Sequence, residues 1–212
     1  MKDYKDLTLN GKNLAVVKLF ENPAISNEDD VTDDLGSGKP GNVYMNFFDQ
    51  KFKSAILDDK SFDSVHYLDK NSALCLLERN LIINGDDNMK ILLPEDNVRI
   101  ENDSVHADYI LFIDKLTVSR PSEWKSGMMM NGHMTGGYYS ESLYHSIHFA
   151  FWDNMKGKLI TYGWVDDKSD LFFLTMTKSN WESVIAGLTK KILRSSPFRI
   201  RDYFHPNLQS VN

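Results

Sequence analysis

Phe149-Ala150-Phe151-Trp152-Asp153-Asn154-Met155-Lys156-Gly157-Lys158-Leu159-Ile160 joins an apolar run to a compact turn and a second apolar start. Read outward from that turn, Tyr138 to Asp153 predicts one long strand and Lys158 to Val165 its antiparallel partner. A two-stranded ribbon is marginal alone, so it needs further layers to pack on. Upstream, Ala107 to Ser119 is apolar at its centre and rich in β-branched and aromatic residues, which marks another strand. Asn13 to Phe20 is a nearly continuous apolar run, the pattern of a strand buried on both faces. From Pro40, the residues Tyr44, Phe47, Phe48, Phe52, Ala55 and Ile56 recur at three and four, predicting a helix that stops near Asp58-Asp59. Ser179-Asn180-Trp181-Glu182 reads as a capping box opening a C-terminal helix, which Pro197 ends. Phe62 to Leu68 reads as a strand and Ser72 to Arg79 as a short helix. Leu81-Ile83 and Lys90-Leu93 read as a small hairpin about Asn84-Gly85. The order predicts an α/β (α+β) fold: a central mixed sheet with a long antiparallel hairpin, flanked by an early helix and a C-terminal helix.

The 212 residues are 42% hydrophobic and 25% charged, a globular composition, and that length fits one domain over 1–212. Three irregular segments are expected inside it. These are a solvated acidic loop at about 21–41, a Gly/Met-rich loop at about 124–139 and a tail at about 197–212. The formal net charge of −6 argues against nucleic acid as a partner, because phosphate-binding surfaces are recognisably basic. No apolar run approaches the ~20 residues of a membrane helix. The single cysteine, Cys75, excludes an intramolecular disulfide and reads as a small buried hydrophobe. Met1 to Asp6 is polar, so the chain as given starts without a signal peptide.

Two familiar patterns fail on inspection. Gly36-Ser37-Gly38-Lys39-Pro40 is close to a phosphate-binding loop, but Asp33 stands where that pattern needs its first glycine. Pro40 also stands where it needs a hydroxyl, so a flexible lead into the helix is the reading kept. The acidic run Glu28 to Asp34 lacks the alternating ligands, glycine and terminal glutamate of a calcium loop.

Trp124 to Tyr139 is the most unusual stretch, with four of the nine methionines and four of the twelve glycines between two long strands. Three readings compete. One is an adaptable apolar surface for a protein partner, built from Trp124, Met128, Met129, Met130, His133, Met134, Tyr138 and Tyr139. Another is a soft-metal site for cuprous ion, in which Met128, Met130, His133 and Met134 supply thioether and imidazole ligands. The third is a hairpin tip whose methionines fold back onto the sheet.

Asp114 shares strand parity with Ile110, Phe112, Leu116 and Val118, and a carboxylate on an apolar face is either paired or functional. His145 and His148 lie three apart on a strand and therefore point to opposite faces. No nucleophile elbow, zincin helix or dinucleotide turn is present, so neither a catalytic residue nor a cofactor is expected.

Leu14-Ala15-Val16-Val17-Lys18-Leu19-Phe20 resembles the opening strand of a group of bacterial envelope proteins. Ala107-Asp108-Tyr109-Ile110-Leu111 resembles their central strand, and Phe149 to Asp153 through Gly157 to Ile160 resembles their hairpin. The group includes the N-terminal domain of the translocation protein TolB, the curli secretion lipoprotein and the lipoprotein activators of penicillin-binding proteins. The resemblance implies a mixed sheet flanked by helices and protein–protein interaction instead of catalysis. It also implies the cell envelope, with any lipid tether supplied by a removed N-terminal segment. The functional expectations are therefore a non-catalytic interaction module first, a cuprous-ion binding or delivery protein second, and an enzyme using Asp114 third.

Overall fold

A computed structural model describes residues 11–72, 76–83, 87–101, 106–127, 129–130, 133–134, 136–171 and 176–197. In chain order, the first half holds β1 (Asn13–Lys18), β2 (Ala24–Ile25), α1 (Glu28–Leu35), α2 (Pro40–Asp58), β3 (Ser64–Leu68), β4 (Leu76–Ile83) and β5 (Asp87–Pro94). The second half holds β6 (Tyr109–Ser119), β7 (Ser122–Lys125), β8 (Met129–Met130), β9 (His133–Met134), β10 (Tyr138–Asp153), β11 (Lys158–Asp170) and α3 (Lys178–Arg194). Seven strands form one mixed sheet ordered β11-β10-β6-β1-β3, with β2 on the end of β6 and β7 on the end of β10. β1 is parallel to β3 and β6, whereas β10 is antiparallel to β6 and β11. The predicted mixed α/β class is what the chain adopts.

The apolar run of β1 is continuous because both faces of the sheet are covered. Leu14 and Val16 join Tyr44, Phe48 and Phe52 of α2 and Val184 and Leu188 of α3. Ala15 and Val17 join Ile110, Phe112, Ala150 and Trp152 under Met89, Ile91 and Leu93 of the β4–β5 hairpin. Three layers result: helices, sheet and hairpin. Each fully buried large side chain contributes about 1.5–3 kcal/mol to holding them together.

Several expectations need correction. The stretch 21–41 is not one solvated loop, because β2 pairs with β6 and Glu28–Leu35 is helical. Glu28, Asp29 and Asp30 lie in the first turn of α1, where carboxylates suit the positive helix end. Val31 is buried, Asp30 is ion-paired with Arg120 at 3.1 Å, and Asp34 accepts the Trp181 indole N–H at 3.0 Å. Packing and pairing thus turn an acidic, apparently solvated segment into a clamp across α3 and the end of β6.

Of the stretch Ser72 to Arg79 expected as a helix, Leu76 to Arg79 are strand: they begin β4, and pairing with β5 overrides their helix-forming side chains. Nor does Ser179 cap α3. The N-cap is Thr177, whose side chain takes the Asn180 backbone while Asn180 answers through its own side chain. β11 also runs on past Val165 to Asp170. Cys75, the Asn84-Gly85 turn and residues 198–212 of the tail lie outside the described residues.

The long hairpin turns as expected. Gly157 takes φ +61°, and a Cβ there would lie 2.5 Å from the Asn97 carbonyl carbon. Asn97 donates its backbone N–H to the Gly157 carbonyl at 2.6 Å, so the turn is stitched to the segment following β5.

Candidate functional site

β7 and the first four residues of β10 leave the body of the sheet as a two-stranded arm. Its register sets Ser122 against Glu141, Glu123 against Ser140, Trp124 against Tyr139 and Lys125 against Tyr138. Beyond it, β8 and β9 pair Met129 with Met134 and Met130 with His133. Met128 lies outside the described residues.

The arm is braced where it leaves the body. The Arg120 guanidinium is paired with Asp30 of α1 and with Glu141 of β10. Leu171 donates its N–H to the Glu141 carbonyl at 2.9 Å, and Ser142 donates to Pro121 at 3.2 Å. Beyond that root the side chains lose their cover. Trp124, Tyr138 and Tyr139 are 57%, 61% and 62% exposed.

Strand alternation gives the arm two unlike faces. On one, the Trp124 and Tyr139 rings meet edge to face, with centroids 4.9 Å apart and planes at 67°. Gly137 lies directly under the indole, since a Cβ there would stand 2.2 Å from Trp124 Cζ2. On the other face Tyr138 lies beside an ion pair, Lys125 Nζ to Glu123 Oε2 at 2.6 Å. The pair holds the Glu123 carboxyl below its ordinary range and lifts the Lys125 ammonium above its own. Of the partner residues expected from the sequence, the fold brings Trp124 and Tyr139 together and sends Tyr138 to the opposite side.

The enzyme reading centred on Asp114 meets a different geometry from the one its parity predicted. β10 sets His148 against Lys115 and Phe149 against Ile113, so Asp114 is the extra residue of a β-bulge. The bulge reverses parity, and Leu116 and Val118 join Ile113 on the helix side. Asp114 is left half-buried beside His148 and Lys115. Burial pushes its carboxyl up against the pull of those two cations, and burial together with Lys115 draws His148 down. A recess of about 300 Å³ lies between α2 and α3, and its lining includes neither Asp114 nor His148.

His145 and His148 do face opposite ways. His145 is wholly buried against Tyr44 and Trp181, and neither ring nitrogen has a hydrogen-bond partner among the described residues. His148 pairs across the ribbon with Trp164, ring centroids 6.2 Å apart. The sequence reading missed that pairing for a definite reason. The turn alone sets Asp153 against Lys158 and would place Gly163 opposite His148. The irregularity between Phe151 and Trp152 leaves Ile160 extra on β11 and moves Trp164 into that place. Arg120 and Gly137 were also missed; only the three-dimensional register shows that one anchors the arm and the other seats its indole.

No family model and no curated protein matches the chain. Among solved structures it is similar to the PelC dodecamer from Paraburkholderia phytofirmans, at 14% identity over 92% of this chain and 91% of that one, TM-score 0.41. It is also similar to a minor lipoprotein from Acinetobacter baumannii, at 13% identity over 88% and 92%, TM-score 0.36. A third match is a hypothetical protein from Chlamydia trachomatis, at 10% identity over 86% and 94%, TM-score 0.38. Likeness at this level assigns neither a family nor a function.

Proposed function

We propose that this chain is a non-catalytic protein-interaction module of the bacterial cell envelope, and that the β7–β10 arm is its partner-binding element. The envelope placement follows the strand phrases it shares with envelope proteins. The observation that carries the interaction reading is the combination of order and exposure in the arm. Its root is held by Arg120 through two carboxylates, yet three aromatic side chains beyond that root are more than half exposed. Aromatic side chains held in place at an exposed site lose little conformational entropy on binding, which is why they dominate interface energetics.

Replacing Trp124, Tyr138 and Tyr139 together with alanine removes the exposed aromatic side chains and leaves the pairing of β7 with β10 in place. The expected result is a melting temperature within about 2–4 °C of the native protein, equivalent to about 1 kcal/mol for a chain of this size. Capture of a partner from a lysate of the source cells, read by mass spectrometry, should be lost at the same time. A large fall in melting temperature, or unchanged capture, rejects the arm as the partner site.

A further inference from the structure

We infer that Trp164, His148, Lys115 and Asp114 form a carbohydrate-binding site, in which a neutral sugar ring lies on the Trp164 indole. The site is on the body of the sheet, apart from the β7–β10 arm, and stands or falls independently of it. Three observations converge on it.

The first is position. β1 is parallel to both its neighbours, and the connection leaving it leads to β3 on one side while β6 lies on the other. In open α/β sheets, ligands are held outside the carboxyl ends of strands where connections part in this way. Lys18, the last residue of β1, is in register with Ile113. The next residue of β6 is Asp114, the extra residue of the bulge. Bulges re-aim side chains beside functional sites, and this one sets Asp114 and Lys115 together next to His148.

The second is shape. β10 sets His148 against Lys115 on β6 and against Trp164 on β11, a row across three strands. Opposed side chains stand about 5 Å apart, so the row is about 10 Å wide, room for a sugar ring and part of the next. The neighbouring row of Phe112, Ala150 and Tyr162 lies under the β4–β5 hairpin. There the Tyr162 hydroxyl donates to the Ile82 carbonyl at 2.8 Å. At the Trp164 row the cover ends, with Lys115 exposed and the indole 41% exposed. The hairpin thus makes a wall beside an open floor.

The third is chemistry. Asp114 offers carboxylate acceptors beside the Lys115 ammonium, which only donates, and the His148 ring. A phosphate drawn to Lys115 is repelled by Asp114, and an ammonium drawn to Asp114 is repelled by Lys115. A hydroxyl both donates and accepts, so one uncharged polyol satisfies the carboxylate and the ammonium together. The following row, Thr117, Ser146 and Asp166, adds hydroxyl and carboxylate groups on the same face. A pyranose ring has apolar C–H faces that complement the indole, while its hydroxyls project from the rim toward these polar groups.

The test is calorimetric titration of the full chain with cellohexaose and with chitohexaose, whose β-linked rings lie flat. Sorbitol, which has the hydroxyls without the ring, is the control. Native protein should bind at least one of the two hexasaccharides saturably and should not bind sorbitol. Trp164→Ala and Asp114→Asn should each weaken binding about tenfold or more. Trp164→Tyr, which keeps an aromatic ring, should recover most of the affinity. Leu92→Ala, at an exposed position of the hairpin, should bind as native does, and unaltered circular dichroism of each variant confirms folding. The inference is overturned by saturable binding of neither hexasaccharide, by equal binding of sorbitol, or by affinity that survives Trp164→Ala.

Discussion

Replacing His145 with leucine should make the protein markedly more resistant to acid. His145 is wholly inaccessible, lies between the Tyr44 and Trp181 rings, and uses neither ring nitrogen in a hydrogen bond. Burial pulls its pKa from an ordinary 6.5 down to about 3. The folded protein therefore keeps this imidazole neutral at pH values where the unfolded chain has already protonated it. A group depressed on folding leaves stability intact above its unfolded pKa and drains it as the pH falls toward the folded one. The window here runs from about pH 6.5 to about pH 3. At about 1.4 kcal/mol per pH unit, His145 alone removes roughly 2–3 kcal/mol by pH 4.5. That is a large share of the roughly 5–15 kcal/mol a domain possesses. The variant also discards two unbonded buried nitrogens, so at neutral pH its stability should stay within about 1 kcal/mol of native, or exceed it. Urea unfolding at pH 7 and pH 4.5 measures both. Carboxylates that titrate in the same window act on both proteins and cancel in the comparison. If native and variant lose stability in parallel, His145 does not govern the acid response.

The second large effect is at Trp181. Its ring is buried against Tyr44 of α2 and His145 of β10, and its N–H is donated to Asp34 of α1. One side chain thus connects α1, α2, α3 and the sheet. Trp181→Ala should cost about 3–5 kcal/mol through the cavity and the lost contacts. Asp34→Ala removes only the bond to the indole and should cost roughly 1–2 kcal/mol, in the range of hydrogen bonds to charged groups. It should also increase proteolytic cleavage within 28–35. Chemical denaturation of the two variants orders these costs, and an Asp34→Ala variant as stable as native would show that α1 is not tied to α3 by this bond.

The stretch holding Asp34 shows where a sequence reading stops. Glu28 to Asp34 has one buried apolar side chain, Val31, too little to make a period visible. Its helix depends on Arg120 and Trp181, which are 90 and 147 residues away from their partners. Leu76 to Arg79, expected to be helical, are strand for a related reason, since pairing with β5 decided a segment whose own residues suit a helix. α2 and the body of α3, in contrast, were legible because a 3.6-residue apolar period repeats for more than three turns. In α2 the buried Tyr44, Phe47, Phe48, Phe52 and Ile56 are positions the period picked out, while Ala55 is only half-buried.

At the candidate site the same division holds. Trp124, Tyr138 and Tyr139 stood out by composition, but the sequence placed them in one loop, and the strand pairing that carries Trp124 on β7 was not legible. Which of them share a face could not be read, because facing depends on which residue pairs with which across a loop of uncertain register. Asp114 makes the point most sharply. Its parity with Ile110 and Phe112 is a correct count along the chain, but one extra residue in β6 reverses the count for everything after it.

From its own residues this sequence determined the mixed α/β class, the two-sided burial of β1, the long ribbon and the two principal helices. Those features follow from periodic burial and turn chemistry, which act over a few residues. Tertiary structure alone decided the helicity of α1, the strand character of Leu76 to Arg79, the bulge at Asp114, the indole seated on Gly137 and the brace at Arg120. Each depends on a partner far along the chain, and the free energy that selects it exists only once both partners have been brought together.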